Sequence, residues 1–191
     1  QRMEIKQATL PVAEDPVDML PIVRLLVPEK QRFQAVNLEF LEQIPFQVSL
    51  IPSIGTNKLV SGHSENGLSI NLIAGYNAGL KGVEIGSGVN ILRQDALGFQ
   101  TAGIGNIVGG KVRGLQTAGV FNNVRGSVKG LQVAGVCNMV MDSVSGVQIS
   151  GVFNTLNGDI QGAQIGGVLN MTSGNMTGLQ AAGVMNINRG Q

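Results

Sequence analysis

The chain has 191 residues, a net charge of +1 at neutral pH, 28 glycines, 4% aromatic residues and no tryptophan. Nucleic-acid binding depends on a concentrated basic face, so the near-neutral charge excludes that class and we expect no nucleic-acid partner. The single cysteine, Cys137, excludes an internal disulfide, and no apolar run reaches the length of a transmembrane helix.

The first 45 residues are predicted to form a lead-in and a small, irregular α/β cap. Residues 1–30 hold four of the six prolines, and one short helix is expected at Asp18–Leu26. Over residues 32–46 we expect a short strand followed by a helical turn. Pro45 is predicted to end that turn, because the residue before a proline avoids helical geometry.

The next stretch is predicted to contain the first, irregular strands. Residues 46–57 alternate apolar and polar side chains and close on a turn signal. Residues 67–82 follow a polar loop, and we expect the two strands to pair or to stack as coils. His63 lies in that loop and is interpreted as a solvated side chain rather than a catalytic one.

From Gly98 the chain repeats every sixteen residues, beginning GFQTAGIGNIVGGKVR and GLQTAGVFNNVRGSVK. A fixed period of this kind indicates a stacked-repeat architecture. Positions one and six of all six blocks are glycine, position three is glutamine and position nine is asparagine. The glutamine and asparagine columns are Gln100, Gln116, Gln132, Gln148, Gln164, Gln180, Asn106, Asn122, Asn138, Asn154, Asn170 and Asn186.

The residues between these fixed positions predict strands. Position five is small, position seven is β-branched and position fifteen is apolar, whereas positions twelve, fourteen and sixteen carry charged side chains such as Arg113, Lys129 and Asp159. A period of two places the odd positions inward. A helix is a poor alternative, because each of the several glycines per block would cost about 0.5–1 kcal/mol.

The fold class predicted is all-β, a parallel β-solenoid with sixteen-residue coils stacked about 4.8 Å apart. Residues 1–45 would form the cap and residues 46–191 the solenoid, regular from residue 82. The glutamine and asparagine columns would form structural amide ladders, in which each side chain donates to the next. The alternative is an antiparallel β-hairpin sheet or barrel. It explains the alternation of apolar and polar residues, but it does not explain why all sixteen positions recur in phase.

Two details of the repeat concern its surface and its edge. Positions two, four and eight are also largely apolar, as at Leu115, Val133 and Phe121. Either the register switches face at the sixth-position glycine, or one outer wall is apolar and covered. Glu84 occupies the glutamine column of residues 82–97, and we interpret it as the end of the ladder, where one neighbour is missing.

Residues for catalysis are scarce in this sequence. With a single histidine and a single cysteine, we expect no histidine-based triad, Cys–His dyad or His/Cys metal site. Asp142 and Asp159 fall at different block positions, so no paired acid and base follow. We predict a non-enzyme with no catalytic, cofactor or metal residues, in which Cys137 is an apolar packing residue.

The block G-[LV]-Q-[IVA]-[AS]-G-V-x-N, preceded by PFQVSLIPSIGTN and GLSINLIAGYNAGLKGVEIG, resembles the envelope surface-repeat proteins of Bacteroidetes and Leptospira. The resemblance covers about residues 45–191. It implies a cell-envelope location, at the outer membrane or cell surface, and supplies no catalytic residue.

The function predicted is a non-enzymatic repeat protein that presents an extended surface for binding a protein or glycan partner, or for structural display. The alternative is a membrane-embedded β-structure of the outer membrane, against which the charged even positions count. The last block ends still in phase. We therefore expect either an end-to-end homodimer through the C-terminal coil or continuation of the repeat in a longer parent protein.

Overall fold

The computed structural model describes residues 15–37 and 42–190. Over these residues the chain is a parallel β-solenoid of about eight turns, so the predicted fold class is confirmed. Each repeat strand pairs in parallel with the strand sixteen residues later, as Gln116 does with Gln132. The antiparallel hairpin alternative is therefore wrong.

Each coil contributes one strand to each of two sheets. The first sheet contains β1 Glu42–Ile51, β2 Ile54–Gly55, β3 Ser64–Asn71, β5 Gly79–Gly86, β7 Ala96–Ala102, β9 Val112–Ala118, β11 Val128–Ala134, β13 Val144–Ser150, β15 Ile160–Gly166 and β17 Met176–Ala182. The second contains β4 Ala74–Asn77, β6 Val89–Leu92, β8 Gly105–Val108, β10 Phe121–Val124, β12 Cys137–Val140, β14 Phe153–Leu156, β16 Leu169–Thr172 and β18 Met185–Asn188.

The apolar core lies between the two sheets at repeat positions eleven and fifteen. Val124 and Val128, one on each side of a corner, are 0% and 1% exposed and belong to one continuous cluster along the axis. Position fifteen was predicted to face inward and does so. Position eleven completes the core, because the odd positions face inward in the second strand of a coil as they do in the first.

The prediction for position seven is wrong. Val120, Val136 and Val152 are 37–40% exposed, although they were expected to face inward. They lie in the bend between the two strands of a coil, and alternation holds only within a strand. The backbone of this corner is nevertheless paired from coil to coil, with the Val120 amide donating to the Ile104 carbonyl at 2.9 Å.

The first-position glycines are required by the stacking of the coils. Gly130 has φ +135° in the middle of β11, a conformation that side chains with a Cβ rarely adopt. A Cβ at Gly130 would also overlap the carbonyl oxygen of Gly114 in the coil below. The invariance of this position therefore has two independent steric causes.

The first coil differs from the prediction for residues 32–46. Helix α2 spans Glu29–Asn37, where a strand was expected, and β1 begins at Glu42, before the predicted start of the solenoid. Pro45 lies inside β1 and ends no helical turn. The proline is tolerated because β2 pairs only with Ser49 and Ile51, so β1 is an edge at that point.

The strands expected in residues 46–57 and 67–82 stack rather than form a hairpin, because β1 and β3 pair in parallel. A 3-10 helix, Lys58–His63, connects them.

The N-terminal helices cover the outer face of the second sheet. Helix α1 spans Pro21–Leu26, within the region predicted as helical, and a turn precedes it. Val17 and Val23 pack with Tyr76 and Ile91 in one buried cluster. The cap therefore shields the side of the early coils, and the parts of the predicted lead-in at residues 1–14 and 38–41 lie outside the described residues.

Candidate functional site

The glutamine column forms a hydrogen-bonded ladder along the solenoid. Gln132 Nε2 donates to Gln116 Oε1 at 2.8 Å, and Gln148 Nε2 donates to Gln132 Oε1 at 2.8 Å. The same contact joins Gln116 to Gln100 at 2.7 Å and Gln180 to Gln164 at 2.8 Å. Every member therefore donates toward the N-terminal end of the solenoid.

The asparagine column forms a second ladder of opposite direction. Asn106 Nδ2 donates to Asn122 Oδ1 at 2.8 Å, toward the C-terminal end. It also donates to the backbone carbonyl of Thr117 at 2.7 Å, and this second bond fixes the orientation of the amide. The pattern repeats through Asn138, Asn154 and Asn170 to Asn186.

The direction of the glutamine ladder determines that its N-terminal end presents an amide donor. Gln100 Nε2 points out of the ladder and requires an acceptor. Glu84 Oε2 accepts this bond at 2.7 Å. Glu84 Oε1 accepts from Asn71 Nδ2 at 2.9 Å and from Asn77 Nδ2 at 3.1 Å, so the carboxylate receives donors from both sides.

Glu84 is not the end of its column, as the sequence had suggested. Ser69 lies opposite it in β3, and Gln47 lies opposite Ser69 in β1. The side chain is 0% exposed, and this burial raises its pKa above the usual range. The hydrogen bonds from Gln100 and Asn71 act in the opposite direction without cancelling the effect of burial.

Two donors to Glu84, Asn71 and Asn77, lie outside the regular repeat. Asn71 precedes the regular repeat, and its side chain fills the space left by Gly75, which occupies the asparagine column. Asn71 also donates to Asn90 Oδ1 at 2.9 Å and so joins the two ladders.

The outer surface carries rows of exposed apolar side chains. We call this surface the apolar wall; its members are 36–77% exposed and occupy positions two, four and seven: Val83, Leu179, Ile85, Ile149, Ile165, Ile104, Val120, Val136, Val152, Val168 and Val184. Of the two explanations for the apolar even positions, the structure supports an apolar outer wall. The odd positions face the core in both strands of a coil, so the register does not switch face at the sixth-position glycine.

A shallow groove of about 600 Å³ runs across the coils at a different corner. We call it the polar groove; its exposed lining comes from positions fourteen and sixteen: Lys111, Arg113, Ser127, Lys129, Ser143, Ser145, Asp159, Gln161, Asn175 and Thr177. The valines and isoleucine between these positions are buried core residues that form its floor. The outward side chains that line the groove are therefore polar or charged, with the cations at the N-terminal end.

Buried polar contacts fasten the cap to the solenoid. Tyr76 Oη donates to Asp18 Oδ1 at 2.9 Å, and Arg93 Nη2 lies 3.2 Å from Asp15 Oδ2. Burial raises the pKa of Asp18 to about 6, although the Tyr76 hydrogen bond and the Arg93 charge lower it. Burial also raises the pKa of Tyr76, with the Asp18 charge adding to the effect.

His63 is not the solvated side chain that its polar neighbours suggested. It is 3% exposed, and its Nε2 lies 2.8 Å from the carbonyl oxygen of Gln34 in α2. Cys137 is 7% exposed, as expected of a packing residue, and burial raises the pKa of its thiol. A raised pKa disfavours the reactive thiolate.

Within the described residues, no group of three or more His, Cys, Asp or Glu side chains has the arrangement of a metal site. None of the helices in the described part of the chain has the length and apolar character that crossing a membrane requires.

Comparisons with known proteins give no relative from which a function could be transferred. The chain matches no family model and no curated protein, and no solved structure matches its fold. The class that the geometry defines is a capped parallel β-solenoid with two buried amide ladders.

Proposed function

We propose that this protein is a non-enzymatic cell-envelope repeat protein whose outer surface binds a partner. The observation that carries this proposal is the apolar wall. Large exposed apolar patches on a folded protein mark interaction surfaces more often than isolated apolar side chains do. The position-seven residues recur in every coil from Ile104 to Val184, so they form a continuous row along the solenoid axis.

The rigidity of the solenoid supports a binding or display role. The buried ladders and the coil-to-coil backbone bonds hold outward side chains at intervals of about 4.8 Å. A rigid array loses little conformational entropy on binding. An envelope location is supported by the sequence resemblance to surface-repeat proteins, at the outer membrane or cell surface.

Two measurements test the proposal. Protease shaving of intact host cells should release peptides spanning Lys111–Arg125, and protection until lysis would place the solenoid away from the surface. Purified protein added to the same cells should be retained on them. The variant Ile149→Thr/Ile165→Thr should reduce retention, whereas Met141→Thr/Asn157→Thr, at an exposed corner outside the wall, should not.

A second candidate is a structure embedded in or associated with the outer membrane. It is favoured by the position of Ile149 and Ile165 on the same outward face as Arg113 and Lys129, since cations beside apolar residues suit anionic lipid headgroups. The same cations count against full embedding, because each would cost roughly 2–4 kcal/mol at the bilayer midplane. Sedimentation with anionic and with zwitterionic vesicles distinguishes this candidate from a protein partner.

The proposal extends to a homodimer through the last described coil. The strands β17 and β18 are the outermost strands of their sheets at this end, and Val184 is 77% exposed. A second copy would pair these edges and cover the valine. Light scattering over a concentration series tests the dimer, and a monomer mass at the highest concentration would contradict it.

A further inference from the structure

The polar groove lies at the start of the first-sheet strands, shares no residue with the apolar wall and carries a charge pattern of its own. Lys111 and Arg113 flank the inward-facing Val112, so both side chains point outward from the same coil. Lys129 is the register partner of Arg113 in the next coil. Three cations therefore lie at the N-terminal end of the groove.

These three cations have no carboxylate partner in the described part of the chain. Asp95 lies one coil before Lys111, and its Oδ1 accepts the Lys111 backbone amide at 2.7 Å. The acidic residue of the groove lining itself is Asp159, whose Oδ1 accepts the backbone amide of Asn175 at 2.7 Å. Arg113 and Lys129 are register partners in neighbouring coils and repel each other, and an anion bound between them would relieve that repulsion.

The other end of the groove has a different chemistry. Ser143, Ser145, Gln161 and Thr177 present hydroxyl and amide groups, which both donate and accept hydrogen bonds. The exposed lining contains no aromatic or large aliphatic side chain. A ligand that fits the whole groove is therefore extended, anionic and rich in hydroxyl groups.

The hydroxyl and amide groups of the groove favour a glycan over an acidic peptide. Arg113 and Lys129 are separated by the coil rise of about 4.8 Å, and Lys111 and Arg113 by two residues of one strand, about 6.6 Å, so the charge spacing suits either ligand. Ring hydroxyls occur along the whole length of an oligosaccharide, and they can donate to and accept from Ser145, Gln161 and Thr177.

We propose that the polar groove binds an acidic oligosaccharide with hexuronate units. Carboxylates of the glycan contact Lys111, Arg113 and Lys129, and its ring hydroxyls contact the serine, glutamine and threonine side chains toward the C-terminal end. Arg113 offers a planar pair of donors for a carboxylate, and the two lysines act as point charges.

The test measures binding of a fluorescent oligogalacturonate to the full chain by anisotropy at low ionic strength. Binding is expected, and added salt should weaken it because the cations are exposed. The variant Arg113→Gln/Lys129→Gln should lower the affinity about tenfold or more. The matched control Lys30→Gln/Arg189→Gln removes the same charges elsewhere and should leave the affinity within about twofold.

Three further measurements separate a glycan site from a general anion site. The variant Ser145→Ala/Thr177→Ala should lower the affinity by about twofold to fivefold, because it removes only hydroxyl partners. A neutral maltooligosaccharide of equal length should not bind, and a polyglutamate peptide should bind more weakly than the uronate. The wall variant Ile149→Thr/Ile165→Thr should bind the probe normally, which keeps this site distinct from the proposed partner surface.

Several results would overturn the inference. They are no binding of the oligogalacturonate, equal affinity of the groove variant and the wild-type chain, or an affinity for polyglutamate as high as for the uronate. An unchanged affinity of the Ser145→Ala/Thr177→Ala variant would also overturn the inference, since the site would then recognise only the charge of the ligand.

Discussion

Replacing one amide in the middle of the glutamine ladder should destabilise the protein far more than replacing the last one. Gln132 is 0% exposed, and it both donates to Gln116 and accepts from Gln148. The substitution Gln132→Leu keeps a side chain of similar size in the core. It leaves the Gln116 oxygen and the Gln148 amide without their ladder partners.

The magnitude follows from these two orphaned groups. A buried polar group without a partner costs about 1–3 kcal/mol, so Gln132→Leu should lower the free energy of unfolding by about 2–6 kcal/mol. Gln180→Leu is the matched control, since Gln180 is half-buried and donates to Gln164 at 2.8 Å. Gln164 Oε1 would keep its bond from Thr172 Oγ1 at 3.1 Å, so the expected loss is about 0.5–1.5 kcal/mol.

The assay is urea unfolding followed by circular dichroism, combined with amide hydrogen exchange. Exchange is needed because a solenoid is stabilised coil by coil and its terminal coil can open alone. Gln132→Leu should accelerate exchange in β9, β11 and β13, whereas Gln180→Leu should affect β17 and β18. Equal losses of stability in the two variants would refute the argument that ladder bonds stabilise through buried pairing.

Three further predictions concern the cap, the buried carboxylate and the stacking of the coils. Burial raises the pKa of Asp18 from 3.8 to about 6. Its contribution to stability is therefore complete below the unfolded pKa and is lost as the pH rises through about 6. Melting temperatures measured from pH 4 to pH 7 should show this loss of stability, and Asp18→Asn should remove the part that Asp18 contributes. A pH profile of melting temperature that is the same in Asp18→Asn as in the wild-type chain would contradict the role given to Asp18. Glu84 has a raised pKa for the same reason, so Glu84→Gln should also flatten the decline in unfolding free energy above pH 4.5, and a steeper decline would contradict it. Gly130→Ala should destabilise the protein by roughly 3 kcal/mol or more through backbone strain and overlap with the coil below. Gly79, which precedes the regular repeat, has φ outside the left-handed region, and a Cβ there would lie 3.2 Å or more from its neighbours, so Gly79→Ala is expected to be less damaging in the same urea titration.

The regular part of the solenoid could be predicted because its constraints repeat. A glutamine that recurs every sixteen residues at one strand position must meet its own copies in a stack, and Gln100 and Gln116 do so. The inward valines of position fifteen follow from alternation within one strand. Position seven failed because a bend lies between the strands, and local alternation does not describe a corner.

The irregular part could not be predicted in the same way, because its contacts are made once. His63 has polar neighbours in sequence, yet α2 covers it through a carbonyl twenty-nine residues earlier. Glu84 was recognised as a member of the glutamine column, but its donors Asn71 and Asn77 belong to coils without a repeat pattern. The polar groove was also missed, because its lining residues differ from block to block and share only their outward direction.

The opposite directions of the two ladders have an electrostatic consequence. In an α-helix, aligned peptide dipoles add up to partial charges at the two ends. Here the side-chain amides of one column point toward the first coil and those of the other toward the last, so their dipoles largely cancel within each coil. Adding a coil of the same sequence therefore adds no net side-chain dipole along the axis, and a solenoid of this kind can change its number of repeats without charging its ends.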